Sequence, residues 1–254
     1  MIKLISAKDN AGVGVNGAKI IANVVKANPN AVLGLATGSS PLTTYAELIK
    51  MYEAGTLSFK NVKSVNLDEY VGLTSDHDQS YAYFMSTNLF DHIDIDKSNT
   101  NLPNGMAADP AAECKRYDAV IESMGGVDIQ VLGIGLNGHI GFNEPADSFS
   151  KGTGLINLTD STIDANSRFF ASRDLVPTQA LSMGIGQIMA AKSILLIAVG
   201  KAKANILCDS LFGDITPRVP ASILQLFKGD VFVCADEDAL SVIREKYPEA
   251  KIEA

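Results

Sequence analysis

A glycine-rich run, Gly133-Ile134-Gly135-Leu136-Asn137-Gly138-His139-Ile140-Gly141-Phe142-Asn143-Glu144-Pro145, sets a histidine and a glutamate directly behind the apolar segment Ile129 to Leu132. The glycines keep such a loop open to a ligand, and Asn137 and Glu144 are close enough in sequence to orient the imidazole of His139. The first six residues also satisfy G-x-G-x-x-G, and Asp160 stands where a dinucleotide site would want its acid. That fingerprint needs its third glycine to open a helix, whose N-terminus carries the pyrophosphate. Here Gly141 and Pro145 follow, and Phe149 to Gly154 has no helical period, so the run reads as an active-site loop instead.

Other groups with chemical potential punctuate other apolar runs. Thr37-Gly38-Ser39-Ser40-Pro41 precedes a helical pattern, where backbone N–H groups and hydroxyls can hold a phosphate; the same letters also suit a plain helix N-cap with Pro at its start. Asp68 follows the apolar run Val62 to Leu67, so desolvation would raise its pKa toward that of a general base, although an acid there can equally be a turn former. Lys203 falls in the first turn of a helix, where a cation opposes the macrodipole; either an anionic ligand lies between them or the lysine is a solvated surface group. Arg168, beside Phe169 and Phe170, can fork onto phosphate oxygens or pair with a carboxylate.

These residues must be positioned by a frame, and the sequence supplies one. Short β-rich runs at Lys3 to Ser6, Ala31 to Ala36, Val62 to Leu67, Asp128 to Leu132, Ser193 to Val199 and Val231 to Ala235 alternate with helical periods. The helices fall near Gly14 to Val25, Leu42 to Tyr52, Ser80 to Phe90, Pro110 to Met124, Thr178 to Ala190, Ala202 to Phe212 and Asp238 to Tyr247. Alternation of this kind predicts an α/β protein: a doubly wound, mostly parallel, Rossmann-like sheet with helices on both faces. All 254 residues are read as one domain, with the irregular stretch 146–177 as a lid. In an open parallel sheet the carboxyl ends of the strands share one edge, which gathers the groups above into one constellation.

Composition narrows the partners. No apolar run is long enough to span a membrane, and the chain starts directly into a strand pattern, so a cytoplasmic protein is expected. A formal net charge of −8 disfavours nucleic acid and anionic membranes, and leaves any anionic substrate to local cations. Cys114, Cys208 and Cys234 are odd in number and widely spaced, reading as buried reduced thiols, and no metal site is indicated.

Four motifs taken together resemble the glucosamine-6-phosphate deaminase family: Gly34-Leu35-Ala36-Thr37-Gly38-Ser39-Ser40-Pro41, Asn66-Leu67-Asp68-Glu69-Tyr70-Val71-Gly72-Leu73, Asn137 to Pro145, and Ala165-Asn166-Ser167-Arg168-Phe169-Phe170. The resemblance spans nearly the whole chain, in order. It implies conversion of glucosamine 6-phosphate and water to fructose 6-phosphate and ammonia, with neither metal nor organic cofactor. It further implies that His139 shuttles the ring-opening proton, held by Glu144 and Asn137, and that Asp68 takes the C2 proton. Gly38, Ser39, Ser40, Lys203 and Arg168 would then hold the phosphate. Many family members carry Asp where this chain has Asn137; an amide can orient histidine but cannot offset its charge, which leaves that to Glu144.

Two rival readings are 6-phosphogluconolactonase, which resembles the family in its Gly-His loop but generally lacks the Phe-Asn-Glu-Pro continuation and Tyr70, and a non-catalytic sugar-phosphate sensor, for which no helix-turn-helix precedes Lys3. The allosteric, hexameric members resemble one another in a serine, an arginine and a lysine that bind the activator's phosphate between subunits. Asp147, Gly154 and Ile156 stand at those positions here, so no activation and a monomer in preference to a hexamer are expected.

Overall fold

The computed structural model describes residues 1–253. In chain order the strands are β1 (Ile2–Ala7), β2 (Val32–Leu35), β3 (Lys63–Asn66), β4 (Asp68–Tyr70), β5 (Thr100–Asn101), β6 (Ile129–Gly133), β7 (Gly154–Asn157), β8 (Gln179–Ser182), β9 (Ser193–Ala198), β10 (Asp230–Asp236) and β11 (Ile252–Glu253). The helices are α1 (Asn10–Ala27), α2 (Leu42–Glu53), α3 (Tyr81–Asn88), α4 (Pro110–Ser123), α5 (Asp160–Asn166), α6 (Ile185–Ile188), α7 (Ala204–Phe212) and α8 (Glu237–Lys246).

Eight strands form one sheet in the order β11-β1-β10-β9-β6-β2-β3-β5, every pairing parallel. The central strands are buried almost throughout, because helices cover them; this is why they read as continuous apolar runs and not as alternating ones. From β1 through β2 and β3 to β5 the chain steps toward one edge, and from β6 through β9 to β10 it steps toward the other. Right-handed crossovers therefore send the two sets of helices to opposite faces, with α1 packed on α2 and α7 on α8. The direction reverses between β2 and β6, so the loops leaving their carboxyl ends part and open a crevice.

A second sheet was not foreseen. β4, β8 and β7 pair antiparallel, with Asp68 opposite Ser182 and Gly154 opposite Ser182 on the other side. The segment Thr178 to Ala190, expected as a single helix, is instead β8 followed by the four-residue α6. Its periodicity misleads because Ala180, Leu181 and Ser182 are buried between two partner strands, and Gly184 and Gly186 lie hard against the Lys151 backbone. The stretch 146–177 is also more regular than its sequence suggests, since it contains β7 and α5. Cys114, Cys208 and Cys234 are buried and unbridged.

Candidate functional site

The glycine loop leaves β6 and folds back so that His139 stacks on its own beginning. The Gly135 N–H donates to the His139 carbonyl at 2.9 Å, and the imidazole lies so close that a side chain at 135 would meet it at 2.4 Å. Gly141 has φ +57°, a left-handed turn that directs the loop toward Asp68, whose Oδ2 would be 3.6 Å from a Cβ there. The loop is fastened to the small sheet at two points. The Phe142 N–H donates to Ser182 Oγ at 3.0 Å, and Asn143 Nδ2 donates to the carbonyls of Ile140 and Met183 at 2.9 and 2.8 Å.

Within this frame Glu144 is engaged on both oxygens. Oε2 accepts from Asn137 Nδ2 at 2.7 Å and faces His139 Nδ1 at 3.5 Å; Oε1 accepts from the hydroxyls of Thr162 and Thr159. Burial pushes the Glu144 carboxyl up, but the imidazole, the Thr162 hydroxyl and the Asn137 amide outweigh it and hold the pKa at about 2. Asn137 accordingly braces Glu144 and accepts from the backbone N–H of His139 at 3.2 Å; it does not bond the ring. The expectation that Asn137 orients the imidazole directly is corrected to an indirect hold through Glu144. An amide so placed can donate to the carboxylate while accepting from the loop, which Asp could not do when ionised.

Asp68 opens β4 and is 6% exposed. Burial, assisted by the charge of Glu69, pushes its pKa up to about 8. Glu69 is itself held by the N–H groups of Tyr70, Tyr81 and Ala82, the last two belonging to the first turn of α3. Asp68 is thus not a solvated turn former.

The hydroxyl-rich turn after β2 also departs from the plain N-cap. Pro41 occupies the N-cap of α2 and no side chain caps the helix, so the hydroxyls of Ser39 and Ser40 are not consumed there. Gly38 has φ +81°, and Ser40 Oγ lies beside Gly133 at the end of β6. Arg168, on the turn after α5, reaches Ser39 Oγ at 3.5 Å with its guanidinium over the Phe169 ring. Lys203 arrives from the carboxyl end of β9 and donates to the Ile134 carbonyl at 2.6 Å. Its pKa is lowered by burial and then by the charge of Arg168. Among the described residues neither cation forms an ion pair, so two positive charges that feel one another stand uncompensated beside the turn after β2 and the end of β6.

The structure therefore links the candidate catalytic and phosphate-holding residues through neighbouring contacts at the carboxyl ends of the strands: Ser40 with Gly133, Lys203 with Ile134, Arg168 with Ser39, Gly141 with Asp68, and Asn137 and His139 with Glu144. It adds four that sequence reasoning missed: Ser182 and Asn143, which join the loop to Asp68's strand, Thr162, and Glu69. Asn143 carried a signal, being an amide inside a glycine-rich loop. Ser182 carried none, because its segment read as helix. No helix among the described residues is long and apolar enough to cross a membrane.

The family model described as glucosamine-6-phosphate isomerases/6-phosphogluconolactonase matches residues 12–233. A glucosamine-6-phosphate deaminase of Clostridium perfringens is 52% identical over 243 residues, covering 96% of this chain and all of that protein. One from Clostridioides difficile is 51% identical over 96% of this chain and 98% of its own. Among solved structures, a protein described as a monomeric glucosamine-6-phosphate deaminase superposes with TM-score 0.92 at 44% identity, over 94% of this chain and 99% of that one. A 6-phosphogluconolactonase from Thermotoga maritima shares the fold alone, with TM-score 0.73 at 17% identity, over 93% of this chain and all of that one.

Proposed function

The chain belongs to the glucosamine-6-phosphate isomerase/6-phosphogluconolactonase family, and we propose that it converts glucosamine 6-phosphate and water to fructose 6-phosphate and ammonia. The observation that carries this reading is one juxtaposition. A buried carboxyl with pKa about 8, a histidine facing a glutamate on the adjoining loop, and two cations without ion-pair partners, one at Ser39 and one at Ile134, gather at the carboxyl ends of the strands where the strand order reverses.

The phosphate dianion sits on the turn of Gly38, Ser39 and Ser40, with Lys203 and Arg168 as its counter-charges; bringing two cations together without a carboxylate is unfavourable until an anion joins them. His139 moves the proton between the ring oxygen and the C1 hydroxyl as the pyranose opens, and Glu144 stabilises the imidazolium so formed. Asp68 takes the C2 proton. Without substrate its carboxyl, with a pKa of about 8, is largely protonated at neutral pH; the substrate's 2-ammonium group, arriving beside it, favours the ionised form that can act as base. The electron pair released at C2 forms the C1–C2 double bond and displaces the C1 carbonyl pair onto its oxygen, which takes a proton from the 2-ammonium group to give an enolamine; protonation at C1 by Asp68 then leaves an iminium at C2, water adds there, and ammonia departs. No metal or organic cofactor enters the scheme. Overall this is a hydrolytic deamination coupled to an aldose-ketose shift.

The stretch 146–177 acts as a lid that carries Arg168 onto the phosphate, the chain works as a single domain and a monomer, and the reaction takes place in the cytoplasm. The solved relative described as monomeric supports the oligomeric reading. Ammonia release from glucosamine 6-phosphate by the purified chain tests the activity. The 6-phosphogluconolactone assay run alongside separates it from the lactonases, and hydrolysis of the lactone without ammonia release would replace this reading.

A further inference from the structure

Glu144 is the polar link between two parts of the site that otherwise meet through the apolar packing of Phe142 with Leu158 and Ile163. Its Oε2 belongs to the catalytic loop, through Asn137 and His139, while its Oε1 is taken by Thr162 and Thr159. Thr159 is the N-cap of α5, its side chain accepting from the Thr162 N–H, and Thr162 lies one turn inside the same helix. Six residues after Thr162 the chain reaches Arg168, on the turn that carries it to Ser39. At 1.5 Å per residue α5 is a strut of about 10 Å, touching the His139–Glu144 pair at one end and the phosphate turn at the other.

The strut is stiffened and seated independently of Glu144. Arg173 pairs with both Asp160 and Asp164, tying the following turn back along the exposed side of α5. Phe170 packs edge-on against Tyr70, with ring centroids 5.9 Å apart, and Ile163 of α5 is buried in the same apolar cluster. Thr162 is buried and its hydroxyl is aimed at the carboxylate. A helix that held only structural contacts would have no need to spend a buried hydroxyl on a catalytic carboxylate when an apolar side chain would pack as well.

We infer that Thr162 is a positioning residue that makes the placement of Glu144 against His139 depend on the seating of α5, and so couples phosphate engagement by Arg168 to ring opening. The inference rests on the deaminase reading of the same site. When Arg168 closes on the phosphate, α5 is drawn into its seat, Thr162 holds Oε1, and Oε2 is left directed at the imidazole. Were α5 to lift from this seat, Glu144 would lose its hydroxyl donors and the histidine its fixed counter-charge.

The test compares Thr162→Val, Thr162→Ser, Arg168→Ala and the double variant Thr162→Val/Arg168→Ala in the intact chain. Thr162→Val should lower kcat about tenfold with little change in KM, because the hydroxyl acts on the acid–base pair and not on the phosphate. Thr162→Ser should restore kcat. The double variant should turn over no more slowly than the slower single one, since both changes break the same connection. Multiplicative losses in the double variant, or a serine variant as impaired as the valine, would overturn the coupling. A second readout needs no activity: the Glu144 carboxyl, followed by carbon NMR, should titrate above its position at about 2 in Thr162→Val, and an unmoved titration removes Thr162 from the relay. A wild-type chain that releases no ammonia would sink the deaminase reading while leaving the titration to report on the contact itself.

Discussion

The two sheets divide the labour of the site unequally. The eight-stranded parallel sheet is a rigid frame whose central strands are buried on both faces, and it contributes loops: the hydroxyl turn after β2, the histidine loop after β6, the lysine after β9. The three-stranded antiparallel sheet is short and thinly cored, resting on Tyr70, Phe142, Leu158, Ile163, Val176 and Ala180, yet it supplies the buried carboxyl of Asp68 from within a strand and anchors the segment that carries Arg168. The proposed acid–base histidine and the proposed C2 base thus sit on different frames, joined by Ser182 and Asn143. A large sheet tolerates open loops at its edge because its core is elsewhere; a small one can hold a perturbed carboxyl only because burial is local and nearly complete.

The sharpest way to break the small sheet's contribution is Asp68→Asn. It removes the base without removing bulk, and turnover should fall roughly 100-fold or more. Solvent-deuterium exchange into the sugar at the native rate in this variant would take Asp68 out of the mechanism. Stability should move the other way. Asp68 titrates near 3.8 when exposed and near 8 when folded, so its contribution to stability is fully present below about pH 3.8 and is lost as pH rises toward 8. Asp68→Asn should therefore be more stable than the wild type at pH 8 and lose that advantage toward pH 4, measured by denaturant unfolding at both. In the wild type, kcat/KM should climb with pH through about 8 as the free enzyme's carboxyl ionises.

The same contrast decides what the sequence could tell. Strands of the large sheet were legible because full burial makes continuous apolar runs, as in Val32–Leu35 and Ser193–Ala198, and their order follows from alternation with helices. The site loops were legible because glycine, hydroxyl and charged residues at strand ends have few structural uses in combination. β4, β7 and β8 were not. Each has three or four residues, too few for a period, and their pairing brings together residues 68, 154 and 182, which no local signal connects. Asp68 was therefore recognised as a candidate while the strand that buries it was not. Asn137 was likewise found, yet its true partner, the Glu144 carboxylate, depends on how the loop folds back.

The large sheet's contribution to substrate holding is broken by Lys203→Ala, and the lid's by Arg168→Ala. Each should raise KM for glucosamine 6-phosphate roughly 10- to 100-fold, with unphosphorylated glucosamine as the control. Arg168→Ala should also lower kcat if 146–177 acts as the proposed lid, because Arg168 sits on that stretch and Lys203 does not. If both variants keep the native preference for the phosphorylated sugar, the phosphate lies elsewhere.

The seam between the sheets is tested by Asn143→Ala, which removes the side-chain amide joining the carbonyls of Ile140 and Met183 and the acceptor of Ser150 Oγ, leaving the carbonyls only the longer bonds from the Asn143 N–H at 3.3 Å and Ser182 Oγ at 3.4 Å. Losing such buried hydrogen bonds costs about 1 kcal/mol each, so the unfolding midpoint should drop visibly. Turnover should fall about tenfold as His139 and Asp68 lose register, with KM nearly unchanged because the phosphate turn is untouched. A loss of stability with native kcat would mean that the two frames need no such join.

The smallest expected effect is none at all, and it concerns the outer edge of the small sheet. The family resemblance puts the allosteric members' phosphate-binding positions at Asp147, Gly154 and Ile156. Here Asp147 is an exposed anion engaged with Arg218, Gly154 offers no side chain, and the Ile156 side chain packs on the apolar cluster beneath the sheet. A phosphate arriving there would have to displace Asp147 from Arg218 and would meet the freed carboxylate at once. An effector shifts an equilibrium only by binding one state better than another, and this surface offers it no such difference. The rate should therefore depend hyperbolically on glucosamine 6-phosphate and should not change when N-acetylglucosamine 6-phosphate is added below the level at which it competes for the active site. A sigmoidal curve that becomes hyperbolic with the acetylated sugar would show that Arg218 or Lys151 has taken over the lost cations, and that the small sheet carries regulation as well as the base.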